Sequence, residues 1–190
     1  ANLVTLAGLA LTGGVGLESG DDKRRGGGVY APPGASLTLD GCDVFGNTAD
    51  WGGGVYAESL DLRATTIRDN VAEAGGGVFI VAAGSGTADV DSACEANTGA
   101  SGGGGLYLDG GASWSGGYLR RNESAYGGGA SLAAGASLSG VRAEANIATY
   151  SGGGIYGMGP INIENCATAD NVAEYGGGVF AWGDLTLAGS

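Results

Sequence analysis

The stretch DNVAEAGGGVF at residues 69–79 returns almost unchanged as DNVAEYGGGVF at residues 170–180. Its triple glycine belongs to a longer series, because such blocks begin at residues 26, 52, 75, 103, 127, 152 and 176. The seven blocks cover 150 residues in six steps, which gives a mean period of 25 residues. A fixed period of this length is typical of a solenoid, in which each repeat forms one turn.

Two further features recur with the glycines. An aliphatic residue and then an aromatic residue follow the blocks, as in Val78-Phe79, and only the fifth block lacks the aromatic. An asparagine precedes six of the blocks by five or six residues, and Asp21 takes that place before the first block. The asparagines are Asn47, Asn70, Asn97, Asn122, Asn146 and Asn171.

The segments between the glycine blocks alternate apolar and polar residues, as in SLTLDG at 36–41 and INIENC at 161–166. Period two indicates β-strands, and another such segment ends at each asparagine. We therefore predict an all-β parallel β-helix with three short strands per coil and about seven coils of ~25 residues. Residues 1–190 are expected to form a single β-helix segment, excised from a longer repeat protein, with an insertion around residues 13–25 of the first coil.

Each recurring residue type has a predicted structural role. Asparagine tolerates the positive φ of a tight corner, and stacked asparagine side chains can form an amide ladder along the axis. Glycine lets the backbones of neighbouring coils approach each other closely. The aliphatic residue after the glycines is expected to fill a narrow core.

Together, these motifs resemble the repeat of the polymorphic outer membrane proteins, which carry GGA-[ILV] and F-x-x-N once per coil. Here the second motif stands as Val44-Phe45-Gly46-Asn47 and Ile67-Arg68-Asp69-Asn70, with smaller residues in place of its aromatic. The resemblance covers nearly the whole chain. It implies a right-handed parallel β-helix in a secreted or surface-exposed protein, often an autotransporter passenger or an adhesin.

The composition excludes several classes of function. The net charge is −12 with only eight basic residues, so the chain lacks the basic stripe that nucleic-acid binding requires. No apolar run is long enough to insert into a membrane. The chain has no His and no closely spaced Cys pair, so we predict no metal and no cofactor. Cys42, Cys94 and Cys166 fall on predicted core positions two and three coils apart, which is too far for disulfides.

The aromatic residues after the glycines are predicted to point outward, because the aliphatic residue before each of them points inward. Two interpretations remain open. The rings could simply stack and stabilise the sheet, or they could form an exposed stripe that binds a protein, a glycan or another copy of the rod. The predicted stripe consists of Tyr30, Tyr56, Phe79, Tyr107, Tyr156 and Phe180, with Ser131 as a gap.

The predicted function is a structural or adhesive segment of an extracellular β-helical protein, such as a passenger, stalk or filament, without enzymatic activity. Its expected partners are a protein or glycan at a cell surface, or stacked copies of itself. The alternative is a carbohydrate-active β-helix, a polysaccharide lyase or glycosidase. Its candidate groups would be Asp40, Asp61 and Asp91, with Arg63 or Arg68 as the base.

Overall fold

The computed structural model describes residues 2–18 and 23–190. These residues form an all-β parallel solenoid without a helix, which confirms the predicted β-helix. Seven strands that follow the glycine blocks are stacked in six steps, so the solenoid has about six turns rather than the predicted seven coils. The prediction counted one coil for each glycine block. A full turn, however, runs from one block to the next, so seven blocks enclose six turns.

Four ladders of parallel strands run along the axis. Ladder A follows the glycine blocks and contains Val29–Tyr30, Leu106–Leu108, Ala130–Ala133, Ile155–Met158 and Val179–Ala181. Ladder B contains Asn2–Ala7, Ala35–Asp40, Ser113–Ser115, Ser137–Ser139, Ile161–Glu164 and Leu185–Ala188. The long strands Val55–Arg63 and Val78–Ala88 belong to both ladders.

The other two ladders flank the asparagines. Ladder C precedes them and contains Ala10–Thr12, Asp43–Phe45, Thr66–Arg68, Ala93–Glu95, Tyr118–Arg120, Arg142–Glu144 and Ala167–Ala169. Ladder D lies between the asparagines and the glycines and contains Val71–Ala74, Thr98–Gly102, Glu123–Tyr126 and Ile147–Ser151. One antiparallel pair, Leu17–Glu18 with Arg24–Arg25, flanks residues 19–22.

Ladder D is a fourth strand position that the sequence did not predict. Its first residue faces solvent and its second faces inward, as in the exposed Val71 and the buried Ala72. Small residues occupy the inward position in every turn, among them Gly99 and Ser124. Because the inward residue is Gly, Ala or Ser, the sequence shows no alternation between apolar and polar residues at ladder D. The strand could therefore not be predicted from the sequence pattern.

Every turn stacks on the next in register. Val55 pairs with Val78 and Val78 with Leu106, and each of these side chains is fully buried. The core therefore consists of columns of like residues that run along the axis. All three cysteines are buried and free in it, as predicted, and burial raises the pKa of the Cys94 thiol to about 12.

The six predicted asparagines stack into one continuous amide ladder. Asn97 Nδ2 donates to Asn122 Oδ1 (3.1 Å) and to the Ile67 carbonyl (2.8 Å). Asn97 Oδ1 accepts from both the backbone N–H and Nδ2 of Asn70, each at 3.0 Å. The amide thus uses all its donors and acceptors, although it is completely buried.

The positive φ at this corner lies one residue before the asparagine, for example at Ala96 (φ 52°) and Arg121 (φ 53°). The asparagine itself turns its side chain inward and holds the corner by hydrogen bonds. In the first coil, Gly14 occupies the ladder position and its N–H donates to Asn47 Oδ1 at 2.8 Å. Asp21, which the spacing placed there, lies outside the described residues.

A second polar ladder lies at the corner between ladders B and C. Thr65 Oγ1 accepts from the Cys42 N–H (3.2 Å), and Ser92 Oγ accepts from the Thr65 N–H (3.1 Å). The Cys166 sulfur accepts from the Val141 N–H at 3.4 Å. The Cys42 thiol donates to the Leu6 carbonyl at 3.3 Å, so Cys42 and Cys166 are polar members of this ladder as well as small core residues.

The three glycines of a block are required for different reasons. Gly103 has a φ of 60°, which turns the chain from ladder D into ladder A. A Cβ on Gly104 would lie 2.5 Å from the carbonyl oxygens of both Glu123 and Gly128. A Cβ on Gly105 would lie 2.8 Å from Asn122 Nδ2, so the third glycine makes room for the asparagine ladder.

We predict that Asn97→Ala lowers the free energy of unfolding by about 3 kcal/mol or more, because it leaves buried polar groups of Asn70 and Ile67 unpaired and removes one of the two donors to Asn122 Oδ1. Urea denaturation measures the change. The exposed neighbour Thr98 provides the control, since Thr98→Ala should change stability by less than about 0.5 kcal/mol. Equal losses for the two variants would contradict the role of the ladder.

Gly104→Ala is expected to destabilise the fold by about 3 kcal/mol, because its methyl group would overlap two backbone carbonyls that cannot move independently. Gly110 is a matched control, since a Cβ there would meet its nearest atom at 3.6 Å and its φ is not positive. Thermal unfolding measures both variants, and Gly110→Ala should be neutral or slightly stabilising. A tolerated alanine at 104 would show that close approach does not explain the glycine block.

Candidate functional site

The aromatic residues after the glycine blocks lie on the outer face of ladder A. Val55 points into the core, whereas Tyr56 points away from it and belongs to a separate cluster with Phe79. The rings stack along the axis, with centroids 5.6 Å apart for Tyr30 and Tyr56, 5.3 Å for Tyr56 and Phe79, and 4.9 Å for Phe79 and Tyr107. The predicted outward direction and the stacking are both present.

These rings do not form one exposed stripe, however. Tyr56, Phe79 and Tyr156 retain only 6–8% of their exposure, Tyr107 and Phe180 are half-buried, and Tyr30 alone is exposed. The positive φ of the first glycine turns the chain from ladder D into ladder A, and a large residue before one block covers the ring that follows the next block. Trp51, for example, stacks on Phe79 at 5.6 Å. A Tyr56→Ser substitution would therefore remove a buried, packed ring rather than an exposed one.

A cation of the protein itself lies on the first part of this aromatic column. The Arg25 guanidinium sits 4.8 Å from the centre of the Trp51 ring and 5.6 Å from that of Tyr56. Arg25 directly precedes its glycine block and pairs with Trp51 across the ladder. The rings in this part of the column thus bind a positive charge over their faces.

The gap at Ser131 is filled from the other side of the glycine block. Ser131 is buried, and its hydroxyl donates to the Tyr126 carbonyl (2.8 Å) while it accepts from the Gly103 N–H (3.0 Å). The Tyr126 ring lies 5.1 Å from Tyr156 and 5.3 Å from Tyr150. A residue before the block therefore supplies the ring that the residue after it lacks.

Around Tyr156 the rings open into a surface cavity of about 430 Å³, which we call the aromatic groove. Tyr150, Tyr175 and Trp182 are its exposed walls, at 48%, 57% and 73% exposure. Phe180 stacks on Tyr156 at 5.8 Å and meets Trp182 edge to face at 5.8 Å. The groove is lined by Tyr126, Tyr150, Ser151, Tyr156, Tyr175, Phe180 and Trp182.

Tyr126 and Tyr175 directly precede glycine blocks in the sequence, whereas Tyr150 and Trp182 do not, and the sequence analysis did not predict these two as part of a site. The spacing held a signal for Tyr150, because Asn146 stands six residues before its glycine block instead of five. The additional residue shifts the pairing between Glu123–Tyr126 and Ile147–Ser151, and Tyr150 comes to lie beside Tyr126. Trp182 follows the last ladder A strand, and no repeat feature marks it.

The lining of the groove is uncharged, and an acidic residue lies beside it. None of its lining residues carries a charge, and Glu174 hydrogen-bonds to Tyr175, which raises the pKa of that phenol. Burial raises the pKa of Tyr156, partly offset by a hydrogen bond with the Trp182 indole. All the phenols of the groove whose pKa is raised stay neutral at physiological pH.

The carboxylates proposed for the carbohydrate-active alternative are spread over ladder B and its turns. Asp61 pairs with Arg63 at 2.7 Å and accepts from the Thr87 hydroxyl at 2.8 Å. Asp40 stands opposite Arg63 in the ladder, and Asp91 lies in a turn. Arg68 belongs to ladder C, where it pairs with Asp43 and Asp69.

Within residues 2–18 and 23–190, no group of three or more Cys, Asp or Glu side chains is placed to hold a metal ion. The same residues include no helix that could cross a membrane. Comparison with protein-family models, with curated proteins and with solved structures finds no match. The resemblance to the polymorphic outer membrane protein repeat therefore rests on the two motifs alone.

Phe79→Ala is predicted to destabilise the protein by about 3 kcal/mol, because it removes a buried ring that three other aromatic rings contact. Tyr30→Ala should change the free energy of unfolding by less than about 1 kcal/mol, since this ring is exposed and, among the described residues, stacks on Tyr56 alone. Thermal unfolding of both variants distinguishes a packing role from a surface role. Similar values would contradict the burial described above.

Proposed function

We propose that this chain is a structural and adhesive segment of a secreted or cell-surface β-helical protein, and that the aromatic groove is its partner-binding surface. The observation that carries the proposal is the groove itself, in which the exposed rings of Tyr150, Tyr175 and Trp182 surround the buried Tyr156. Exposed aromatic clusters of this kind mark interaction surfaces.

The solenoid is suited to holding side chains at fixed positions on its surface. Each turn is held to the next by backbone hydrogen bonds and by the buried asparagine ladder. Such a framework presents side chains at fixed intervals along one axis. A protein or glycan partner bound in the groove would contact rings from three successive turns, because Tyr126, Tyr150 and Tyr175 come from consecutive repeats.

The proposed location at the cell surface follows from the resemblance of the GGG-[VLI] and apolar-x-x-Asn motifs to a family of surface proteins. The carbohydrate-active alternative receives less support. A pair of carboxylates that act as acid and base must be able to reach a substrate. Asp61 is instead engaged by Arg63 and Thr87.

The proposal predicts that the double variant Tyr150→Ser/Tyr175→Ser loses most of the binding of the wild-type chain to its surface partner. A glycan array and a panel of purified cell-surface proteins measure this, with a loss of about tenfold or more expected. Tyr30→Ser serves as the control, since Tyr30 is an equally exposed tyrosine of the same column outside the groove. Binding that survives in the double variant, or that Tyr30→Ser also abolishes, would contradict the groove as the binding surface.

A further inference from the structure

The aromatic column has two ends that differ in charge. At one end, the guanidinium of Arg25 lies over the faces of Trp51 and Tyr56. At the other end, the aromatic groove offers the same type of surface, but its lining contains only aromatic residues and Ser151. The protein therefore supplies a cation to one part of the column and leaves ring faces accessible in the other.

The two places are equivalent positions of the repeat. Arg25, Trp51, Tyr126 and Tyr175 each directly precede a glycine block. In the groove, tyrosines take the position from which Arg25 reaches the rings. The groove thus combines ring faces around Tyr156 and Phe180 with a lining that contains no cationic side chain, so a cationic ligand would meet no like charge there.

We propose that the aromatic groove binds a quaternary ammonium group, of the kind carried by choline. This inference rests on the proposed function, since it assigns a ligand class to the same surface. Aromatic faces that surround a cation attract it through their quadrupoles, and quaternary ammonium groups are bound in this way by clusters of several rings. The cavity of about 430 Å³ has a suitable size for a small ligand.

Charge and hydrogen bonding favour this ligand over others. The chain has a net charge of −12, and the carboxylate of Glu174 lies beside Tyr175 at the rim of the groove. A primary ammonium or a guanidinium would bring several N–H donors that each need an acceptor, whereas the side chains of the lining offer ring faces and a few hydroxyl groups. A quaternary ammonium has no N–H donor, so it leaves no hydrogen bond unsatisfied.

Isothermal titration calorimetry with choline chloride tests the proposal, with 3,3-dimethyl-1-butanol as the uncharged probe of the same shape and sodium chloride to match ionic strength. We expect choline to bind at least about tenfold more tightly than the uncharged probe, which corresponds to about 1.4 kcal/mol. Equal affinities would show that the groove selects apolar shape only. Absence of saturable choline binding would overturn the proposal directly.

Variants locate the site. Tyr175→Leu and Trp182→Leu should each weaken choline binding at least about fivefold, whereas Tyr30→Leu should leave it unchanged. Trp182→Phe should retain most of the affinity, because it keeps a ring, and circular dichroism verifies that each variant is folded. Choline binding that persists in the two leucine variants would place the cation elsewhere and contradict the proposal.

The other occupants of the groove give different results. Retention on the glycan array that depends on Tyr150 and Tyr175 but is not competed by choline would overturn the cation assignment and leave the adhesive function in place. Choline binding without any macromolecular partner would support the cation assignment and contradict the adhesive function. Self-association in sedimentation experiments that Trp182→Leu abolishes and choline does not affect would assign the groove to a second copy of the chain.

Discussion

The constraint on which the rest of this structure depends is the in-register stacking of each turn on the next. Backbone hydrogen bonds fix the separation of successive turns at one strand spacing. Every side chain must then fit against a copy of itself or a close equivalent. Asparagine meets this demand in the interior, because its amide donates to one neighbour along the axis and accepts from the other. Few polar side chains can be buried in such a column without an unpaired group.

The glycine block follows from the asparagine ladder. The second glycine lets the backbones of adjacent turns pass, and the third leaves space for the amide, as the contacts of Gly104 and Gly105 show. The first glycine bends the chain sharply, and this bend creates a concave corner on the outside of the solenoid. Aromatic rings fill that corner, and their spacing along the axis suits parallel stacking. Interior hydrogen bonding and exterior stacking are therefore two consequences of one corner.

The aromatic groove arises where the filling of this corner changes. In the first part of the column, Trp51 and Arg25 cover the rings. At Ser131 the ring after the glycines is missing, and Tyr126, which precedes the same glycine block, packs against Tyr156 instead. The additional residue after Asn146 then brings Tyr150 to the surface. Small departures from the repeat thus convert the packed aromatic column into the open aromatic groove. Functional loops on a rigid scaffold are a comparable case, because there too the variable part of the chain forms the site.

The sequence by itself determined the period, the parallel stacking, the inward aliphatic columns and the grouping of the six asparagines. These features repeat along the axis, so every turn provides separate evidence for them. Only the tertiary structure decided what happens around the circumference of a turn. It revealed ladder D behind small residues such as Gly99, placed Gly14 rather than Asp21 in the asparagine ladder, and moved the positive φ to the residue before each asparagine. It also buried Tyr56 and exposed Tyr150. The physical reason is that a repeat fixes which residues are neighbours along the axis, whereas burial depends on how sharply each corner folds one strand against another.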